Sequence, residues 1–239
     1  MSKGRLISFE GLDGAGKTTQ LELLEDWLKA HHISYVRTRE PGGTPLGVEV
    51  RNLLLNRPEL GITPLAETFL FQADRAQHFA KGVLPALEEG KLVITDRSLD
   101  ASIAYQGFAR GVGEELVEDL SLIATQQRVP DLTILLDLNP VRVHMRTDVT
   151  RDQVDETDDK AGIARQLRFP FYSDPTLNQI GLREEQNRFD IETEKFHRRV
   201  REGFRSRARS FPERIKVIDA SRPIQQIHQE VIALVKPFL

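Results

Sequence analysis

The chain has 239 residues, 39% of them hydrophobic, which is enough apolar material for a buried core without metals or cross-links. It contains no cysteine and carries a formal net charge of -3, so disulfides are excluded and binding to nucleic acid by bulk electrostatics is disfavoured. No secretory signal opens the chain and no apolar run approaches the ~20 residues of a membrane span, so we expect a soluble, cytoplasmic protein.

Short β-branched segments alternate with longer helical patterns, which is typical of an α/β domain with a mostly parallel sheet. Strands are predicted over residues 5–10, 34–39, 92–95, 132–137 and 215–218. Helices are predicted over 18–31, over 64–89 with an interruption near Pro85, over 114–127 and over 223–235. On the first helix, Leu21, Leu24 and Leu28 share one face. The pattern predicts a single domain over residues 1–239.

The segment between Arg146 and Arg188 departs from this alternation. Its hydrophobic periodicity fades, and an acidic block over 148–160 precedes the aromatic and proline-rich stretch 169–175. An irregular segment of about 40 residues inside a compact domain is typical of a lid, a binding loop or disorder. We interpret residues 146–188 as a lid with an insertion, and the alternative is a loop without a role.

A phosphate-binding motif follows the first predicted strand. Its residues are Gly11, Leu12, Asp13, Gly14, Ala15, Gly16, Lys17 and Thr18, which match Gly-x4-Gly-Lys-[Ser/Thr]. In such a loop, backbone N–H groups and the following helix N-terminus surround an oxyanion. Lys17 can then reach the β- and γ-phosphates, and the hydroxyl of Thr18 can hold Mg²⁺. We expect residues 11–19, ending at Thr19, to bind ATP.

A second group of residues ends the third predicted strand. Asp96 and Arg97 stand at the carboxyl edge of the sheet, where ligands bind in open α/β folds. Asp96 is suited to hold Mg²⁺ through its water shell, and Arg97 to grip a phosphate. The sequence has neither the Asn-Lys-x-Asp motif of guanine-binding GTPases nor the Ser-Gly-Gly signature of transporter ATPases. A small-substrate kinase and an ATP-driven binding module therefore remain.

Four further stretches resemble the thymidylate kinase family, nucleoside monophosphate kinases that phosphorylate dTMP with ATP. They are REPGGTPLG at 39–47, FQADRAQH at 71–78, DRSLDASIAYQG at 96–107 and IKVIDASR at 215–222. The resemblance implies a P-loop NTPase fold, with three α/β/α layers, a five-stranded parallel sheet and here an enlarged lid insertion. It also implies ATP with Mg²⁺ as the phosphoryl donor, dTMP as the acceptor and a homodimer.

The resemblance also implies how the base and sugar are bound. Phe71 would stack on thymine, and Arg75, one helical turn later, would donate a hydrogen bond to a base carbonyl. Ser102 would read the base edge. Tyr105 and Gln106 would line the sugar side and exclude a ribose 2′-hydroxyl. Without the resemblance, Phe71 reads more simply as a core aromatic and Arg75 as a surface cation.

The same resemblance implies how the phosphates are bound. Asp13 would contact the region of the deoxyribose 3′-hydroxyl, and Arg97 the acceptor phosphate. Because a phosphate oxygen is already nucleophilic, catalysis needs positioning and cations more than acid–base groups. One more arginine is expected to close over the transferred group, and loop positions 13–15 hold none. Arg188, in a stretch resembling the family's lid motif, is our prediction, and Arg146 is the alternative.

Two other functions stay open at this stage. Ser98 stands where an aromatic residue commonly follows Asp-Arg in the family, so the acceptor is dTMP or another pyrimidine monophosphate such as dUMP. From another class, an ATP-binding regulatory module would bind ATP without transferring a phosphoryl group. The histidines lack metal-ligand spacing, so none is assigned to a metal.

Overall fold

A computed structural model describes residues 4–141, 189 and 192–239. Its strands are β1 (Arg5–Glu10), β2 (Tyr35–Arg39), β3 (Leu92–Asp96), β4 (Leu132–Asp137) and β5 (Ile215–Asp219). The α-helices of this part of the chain are α1 (Lys17–Ala30), α2 (Pro45–Asn56), α3 (Pro64–His78), α4 (Leu84–Glu88), α5 (Leu99–Ser102), α6 (Glu114–Ala124), α7 (Glu194–Ser210) and α8 (Ile224–Val235). The predicted lid, residues 146–188, lies outside the described residues.

The five strands form one parallel sheet in the order β2-β3-β1-β4-β5. In the register of β1 with β3, Phe9 lies opposite Asp96, and Arg39 of β2 lies opposite the same residue on its other side. The carboxyl ends of the strands therefore meet at one edge, which confirms the predicted five-stranded parallel α/β fold. This edge positions the site described below.

Alternating residues of each strand face two different helical layers. Ile7 and Phe9 pack with Leu21, Leu24 and Leu28 of α1 and with apolar residues of α8. Leu6 faces the opposite way, towards α4 and the helical turn before it. This period of two is what a strand buried on both faces requires, and it makes the sheet the middle of three layers.

The long helical stretch predicted over 64–89 does not break near Pro85. Instead, α3 continues through a π-helical turn at Phe79–Val83 directly into α4. Pro85 directly follows this π-helical turn. Because a proline has no N–H to donate to the preceding turn, it is compatible with the altered hydrogen-bond pattern there. A second π-helical stretch, Ile103–Ala109, follows α5. Such turns are rare and occur frequently at functional sites.

Within the part of the chain that the structure describes, no helix combines the length and the apolar composition that crossing a bilayer requires.

Candidate active site

The glycines of the loop between β1 and α1 determine its backbone conformation. Gly11, Gly14 and Gly16 have φ angles of 137, 76 and 97, values that residues with a Cβ rarely adopt. At Gly11 a Cβ would also lie 2.5 Å from the carbonyl oxygen of Leu136. The helix α1 begins immediately at Lys17, so its free N–H groups point into the loop.

Lys17 lies across this loop and is nearly buried. Its Nζ donates hydrogen bonds to the carbonyl oxygens of Gly11, at 3.2 Å, and Leu12, at 3.0 Å. Burial and then the nearby charge of Arg97 lower the pKa of Lys17. Backbone oxygens therefore hold the ammonium group at the place where a phosphate chain would enter. A hydrogen bond from the ammonium group to a charged phosphate oxygen is stronger than one to a neutral carbonyl oxygen.

Arg97 faces Lys17 from the end of β3. Its backbone adopts a φ of 71, in the left-handed region, and its guanidinium donates to the carbonyl oxygen of Gly11 at 3.1 Å and to Oδ1 of Asp13 at 2.7 Å. Burial alone would raise the pKa of Asp13, but the charges of Arg97 and Lys17 hold it well below its usual value. The structure thus brings the predicted donor-side and acceptor-side cations to one carboxylate.

The carboxylate of Asp96, together with the hydroxyl of Thr18, fits a magnesium ion. Oδ1 of Asp96 is buried and has no hydrogen-bond partner among the described residues. Thr18 lies in the first turn of α1, on the same edge of the sheet. The described residues hold no group of three or more His, Cys, Asp or Glu side chains that could enclose a metal. Mg²⁺ is typically held by one or two protein oxygens with phosphates and water, so one free carboxylate oxygen suits it.

A cavity of about 650 Å³, including space open to solvent, lies next to the loop. All seven predicted dTMP-binding residues line it, namely Asp13, Phe71, Arg75, Arg97, Ser102, Tyr105 and Gln106. Asp96 lines it as well. The residues come from the phosphate-binding loop, from α3 and from the segment after β3, so only the folded chain assembles them.

Further residues line the cavity that sequence reasoning did not assign, namely Arg39, Glu40, Pro41, Arg51, Leu55, Ser98, Ala101 and Phe189. Arg39 is the last residue of β2, and ligands of open α/β sheets bind at the carboxyl ends of the strands. Its position at the end of a predicted strand is therefore a signal that could have identified it. Arg51 lies in α2, which was not predicted as a helix. Its guanidinium donates to the carbonyl oxygen of Pro41 at 3.2 Å, and Arg51 lines the cavity together with Arg39, Arg75 and Arg97.

Arg75 is fully buried, and all five of its guanidinium hydrogens are used. Nε donates to Glu40 at 2.8 Å, and one terminal nitrogen donates to the carbonyl oxygen of Ser98 and to Oγ of Ser102, both at 3.0 Å. The other donates to Gln72 at 2.9 Å and to Ser121 at 3.3 Å. Arg75 is therefore not the surface cation that a reading without the resemblance favours. Arg75 can donate to a base carbonyl only if one of these hydrogens is shared between the base and its present partner.

Aromatic rings close the cavity around Phe71. The ring of Phe189 lies 6.3 Å from Phe71 and 5.8 Å from Tyr105, centre to centre. Phe189, which directly follows the predicted lid in the sequence, is buried and lines the cavity. Arg188 and Arg146, the two predicted closing arginines, lie outside the described residues.

Below the cavity, a buried carboxylate holds the turn that follows β2. Oδ1 of Asp74 accepts a hydrogen bond from the backbone N–H of Gly42 at 3.1 Å, while Oδ2 is buried without a partner among the described residues. Burial, and then the charge of Glu40, raises the pKa of Asp74 to about 6. The folded protein therefore favours a protonated Asp74 under mildly acidic conditions.

We expect Asp74→Asn to remove a pH-dependent loss of stability. A carboxyl whose pKa is raised on folding stabilises the protein fully below its unfolded pKa, and this stabilisation disappears as the pH rises through the folded value. For Asp74 the loss amounts to roughly 3 kcal/mol between about pH 4 and pH 7. Thermal melts should therefore favour Asp74→Asn increasingly across that range. Asp26→Asn, on the exposed side of α1, is the matched control, and parallel pH profiles for Asp74→Asn and wild type would contradict the expectation.

Comparison with known proteins agrees with this geometry. The family model described as thymidylate kinase matches residues 9–168 and 171–231. The chain belongs to the thymidylate kinase family. It is 41% identical over 227 residues to a thymidylate kinase of Desulfosudis oleivorans, covering 95% of this chain and 94% of that one. It is 36% identical over 236 residues to a thymidylate kinase of Clostridium novyi, covering 99% and 100%.

A solved structure of the family has the same fold. The crystal structure of thymidylate kinase from Ehrlichia chaffeensis superposes with a TM-score of 0.69 at 31% identity, covering 98% of this chain and 99% of that one. The resemblance drawn from four short stretches of sequence is therefore confirmed over nearly the whole chain. Members of the thymidylate kinase family are nucleoside monophosphate kinases, and the comparisons give no support for a regulatory module without phosphotransfer.

Proposed function

We propose that this chain transfers the γ-phosphoryl group of ATP to dTMP, giving dTDP, at the carboxyl edge of its sheet. The observation that carries this proposal is that every predicted acceptor-binding residue lines one cavity, and that this cavity opens against the phosphate-binding loop. Family membership supports the same reaction. The two substrates would meet between Lys17 on the donor side and Arg97 on the acceptor side.

On the donor side, residues 11–19 would bind the phosphate chain of ATP. The loop N–H groups and the start of α1 supply positive partial charge, and Lys17 would leave its backbone partners for the phosphates. Thr18 and Asp96 would hold Mg²⁺, which shields the charge of the phosphate oxygens when it is bound. The unpartnered oxygen of Asp96 supports this assignment.

On the acceptor side, Arg97 and Arg51 would hold the phosphate of dTMP, and Phe71 would stack on the thymine. The hydroxyl of Tyr105 lies 3.3 Å from a terminal nitrogen of Arg97. Tyr105 would therefore lie between the phosphate of dTMP, held by Arg97, and the sugar. Asp13 would contact the 3′-hydroxyl region. Arg188 would close over the transferring group from the lid, as the resemblance implies.

A coupled assay of ADP release tests the function. With ATP and Mg²⁺, we expect turnover to depend on dTMP and to fall strongly when dUMP, dCMP or dAMP replaces it. Direct chromatography should show dTDP as the product. Equal turnover with dUMP would favour the alternative pyrimidine kinase, and the absence of any dTMP-dependent turnover would refute the proposal.

We further propose that two copies of the chain associate through α3 and α6. These helices expose large apolar side chains on their outer faces, Leu65 and Phe69 on α3 and Leu116 and Ile123 on α6, with 53% of Phe69 and 70% of Ile123 exposed. A second copy that covers this patch would remove its apolar surface from water. This homodimer and a cytoplasmic location remain predictions.

Sedimentation tests the homodimer. We expect the wild type to sediment as a dimer and Phe69→Glu to sediment as a monomer, because the substitution places a charge at the centre of an apolar interface. Ile224→Glu is the matched control, since Ile224 is equally exposed at 53% but lies on α8, in the other helical layer. A monomeric wild type, or a dimeric Phe69→Glu variant, would contradict the expectation.

A further inference from the structure

Two side-chain hydrogen bonds join α3 to the segment after β3, one on each side of Phe71. Glu67, one helical turn before Phe71, accepts a hydrogen bond from Nε2 of Gln106 at 2.8 Å. Arg75, one turn after Phe71, donates to Oγ of Ser102 at 3.0 Å. Because the lower-numbered residue of α3 pairs with the higher-numbered partner, the two segments run antiparallel. Ser102 and Gln106 therefore stand side by side along the edge of any ring that stacks on Phe71.

The hydrogen bond to Glu67 fixes the orientation of the side-chain amide of Gln106. An ionised carboxylate only accepts hydrogen bonds, so the NH₂ group of Gln106 must face it. The guanidinium of Arg110 lies 3.5 Å from the same oxygen of Glu67 and forms an ion pair with it. Glu67 and Gln106 are each 1% exposed, so water does not compete for the bond. The carbonyl oxygen Oε1 of Gln106, which no described hydrogen bond uses, is left for the cavity that Gln106 lines.

This orientation selects among pyrimidines. Thymine carries a hydrogen on N3 and a carbonyl oxygen at position 4, whereas cytosine has a bare N3 and an amino group. An acceptor oxygen on Gln106 matches the N3–H of thymine and repels the lone pair of cytosine. The hydroxyl of Ser102, which accepts from Arg75, has its own hydrogen left to give to a carbonyl. Ser102 can serve either base, because its hydroxyl keeps a second lone pair, so the selectivity comes from the amide oxygen of Gln106.

We infer that Glu67 is a positioning residue: it holds the amide of Gln106 with its carbonyl oxygen towards the base and thereby favours dTMP over dCMP. This inference rests on the proposed function. Glu67 itself does not contact the substrate. The resemblance places Gln106 on the sugar side, whereas its hydrogen bond to Glu67 indicates that its amide oxygen faces the edge of the base.

The test replaces Glu67 by glutamine, which has the same shape but offers both a donor and an acceptor. The amide of Gln106 is then free to turn over. We expect the ratio of kcat/KM for dTMP to that for dCMP to fall by about tenfold or more, since a site built to pair with a polar group discriminates through it. The change should appear in the KM for dTMP, with kcat for dTMP and the KM for ATP nearly unchanged.

Glu192→Gln is the matched control. Glu192 is the other carboxylate partner of Arg110, at 2.6 Å, and makes no described contact with Gln106. It should leave the dTMP to dCMP ratio within about twofold of wild type. Gln106→Met, which removes both amide groups, should lower the ratio as Glu67→Gln does. The double variant should lower it no further, because both changes act through one atom.

Several outcomes would overturn the inference. They are an unchanged ratio in Glu67→Gln, an equal fall in kcat/KM for both nucleotides, and an equal loss of selectivity in Glu192→Gln, which would trace the effect to Arg110. If Glu67→Gln does not fold, as judged by its thermal melt, an unchanged ratio in Gln106→Met overturns it instead. A wild type without dTMP turnover would refute the proposed function itself, so the two failures are distinguishable.

Discussion

Replacing Arg97 by methionine is expected to lower kcat for phosphoryl transfer to dTMP by about a thousandfold, because cations that neutralise the transferring group supply most of the rate in such reactions. Arg97, predicted to grip the acceptor phosphate, also contacts the phosphate-binding loop through Gly11 and Asp13. Methionine keeps an apolar stem of similar length. Neither residue is a glycine, so the left-handed backbone at this position is strained to a similar degree in both.

Steady-state kinetics with saturating ATP check this expectation. Arg97→Lys should have an intermediate kcat, because lysine keeps the charge but loses the planar fork of arginine. Arg5→Met makes the same chemical change at the opposite edge of the sheet, where Arg5 is half exposed and pairs with Asp131. It should change kcat less than about twofold. A normal kcat in Arg97→Met would remove Arg97 from the catalytic centre.

Glu40→Gln is expected to destabilise the protein by roughly 3 kcal/mol, because it leaves the buried guanidinium of Arg75 without its counter-charge. Glu40 and Arg75 are both buried, with Nε of Arg75 2.8 Å from Oε2, and His78 lies 3.0 Å from the other oxygen. For a chain of this size that loss corresponds to a fall in Tm of about 10 °C. Differential scanning calorimetry at neutral pH measures it.

The effect of Glu40→Gln should depend on pH with a known sign. Burial would raise the pKa of Glu40, but the charge of Arg75 and the contact with His78 hold it below its usual value. A carboxylate of this kind stabilises the fold above its unfolded pKa, and the stabilisation is lost as the pH falls through the folded pKa. The difference between wild type and variant should therefore shrink in acid.

The control for Glu40→Gln is Glu194→Gln, which removes a carboxylate from an exposed pair with Arg198 on α7. Pairs of this kind contribute about 0.5 kcal/mol or less. A loss of stability in Glu40→Gln no larger than in this control would mean that the buried network does not support the fold.

Much of the proposed donor site could be predicted because its residues are close together in the sequence. The phosphate-binding loop is a continuous run of residues whose glycines dictate the backbone and whose last members open a helix. The strands were predicted for a similar reason, since a strand buried on both faces of a parallel sheet forms an apolar run that the sequence shows directly. Residues 5–10 and 132–137 were predicted with the bounds that the structure has.

The proposed acceptor site could be predicted only through the resemblance to a family. Arg75 and Arg51 show why. Nothing in the neighbourhood of Arg75 in the sequence indicates that it is buried, because its partners Glu40, Ser98 and Ser102 lie 23 to 35 residues away. Arg51 lies in α2, a helix that the sequence pattern did not predict.

The sequence by itself determined the phosphate-binding loop, the parallel sheet and the family, since each depends on residues that are neighbours or that repeat with a fixed period. The tertiary structure decided how Gln106 is turned, which hydrogens Arg75 has to share and where Arg51 lies. These properties depend on pairs such as Glu67 and Gln106, 39 residues apart, and the direction of a hydrogen bond is fixed only when both partners are held in place out of contact with water.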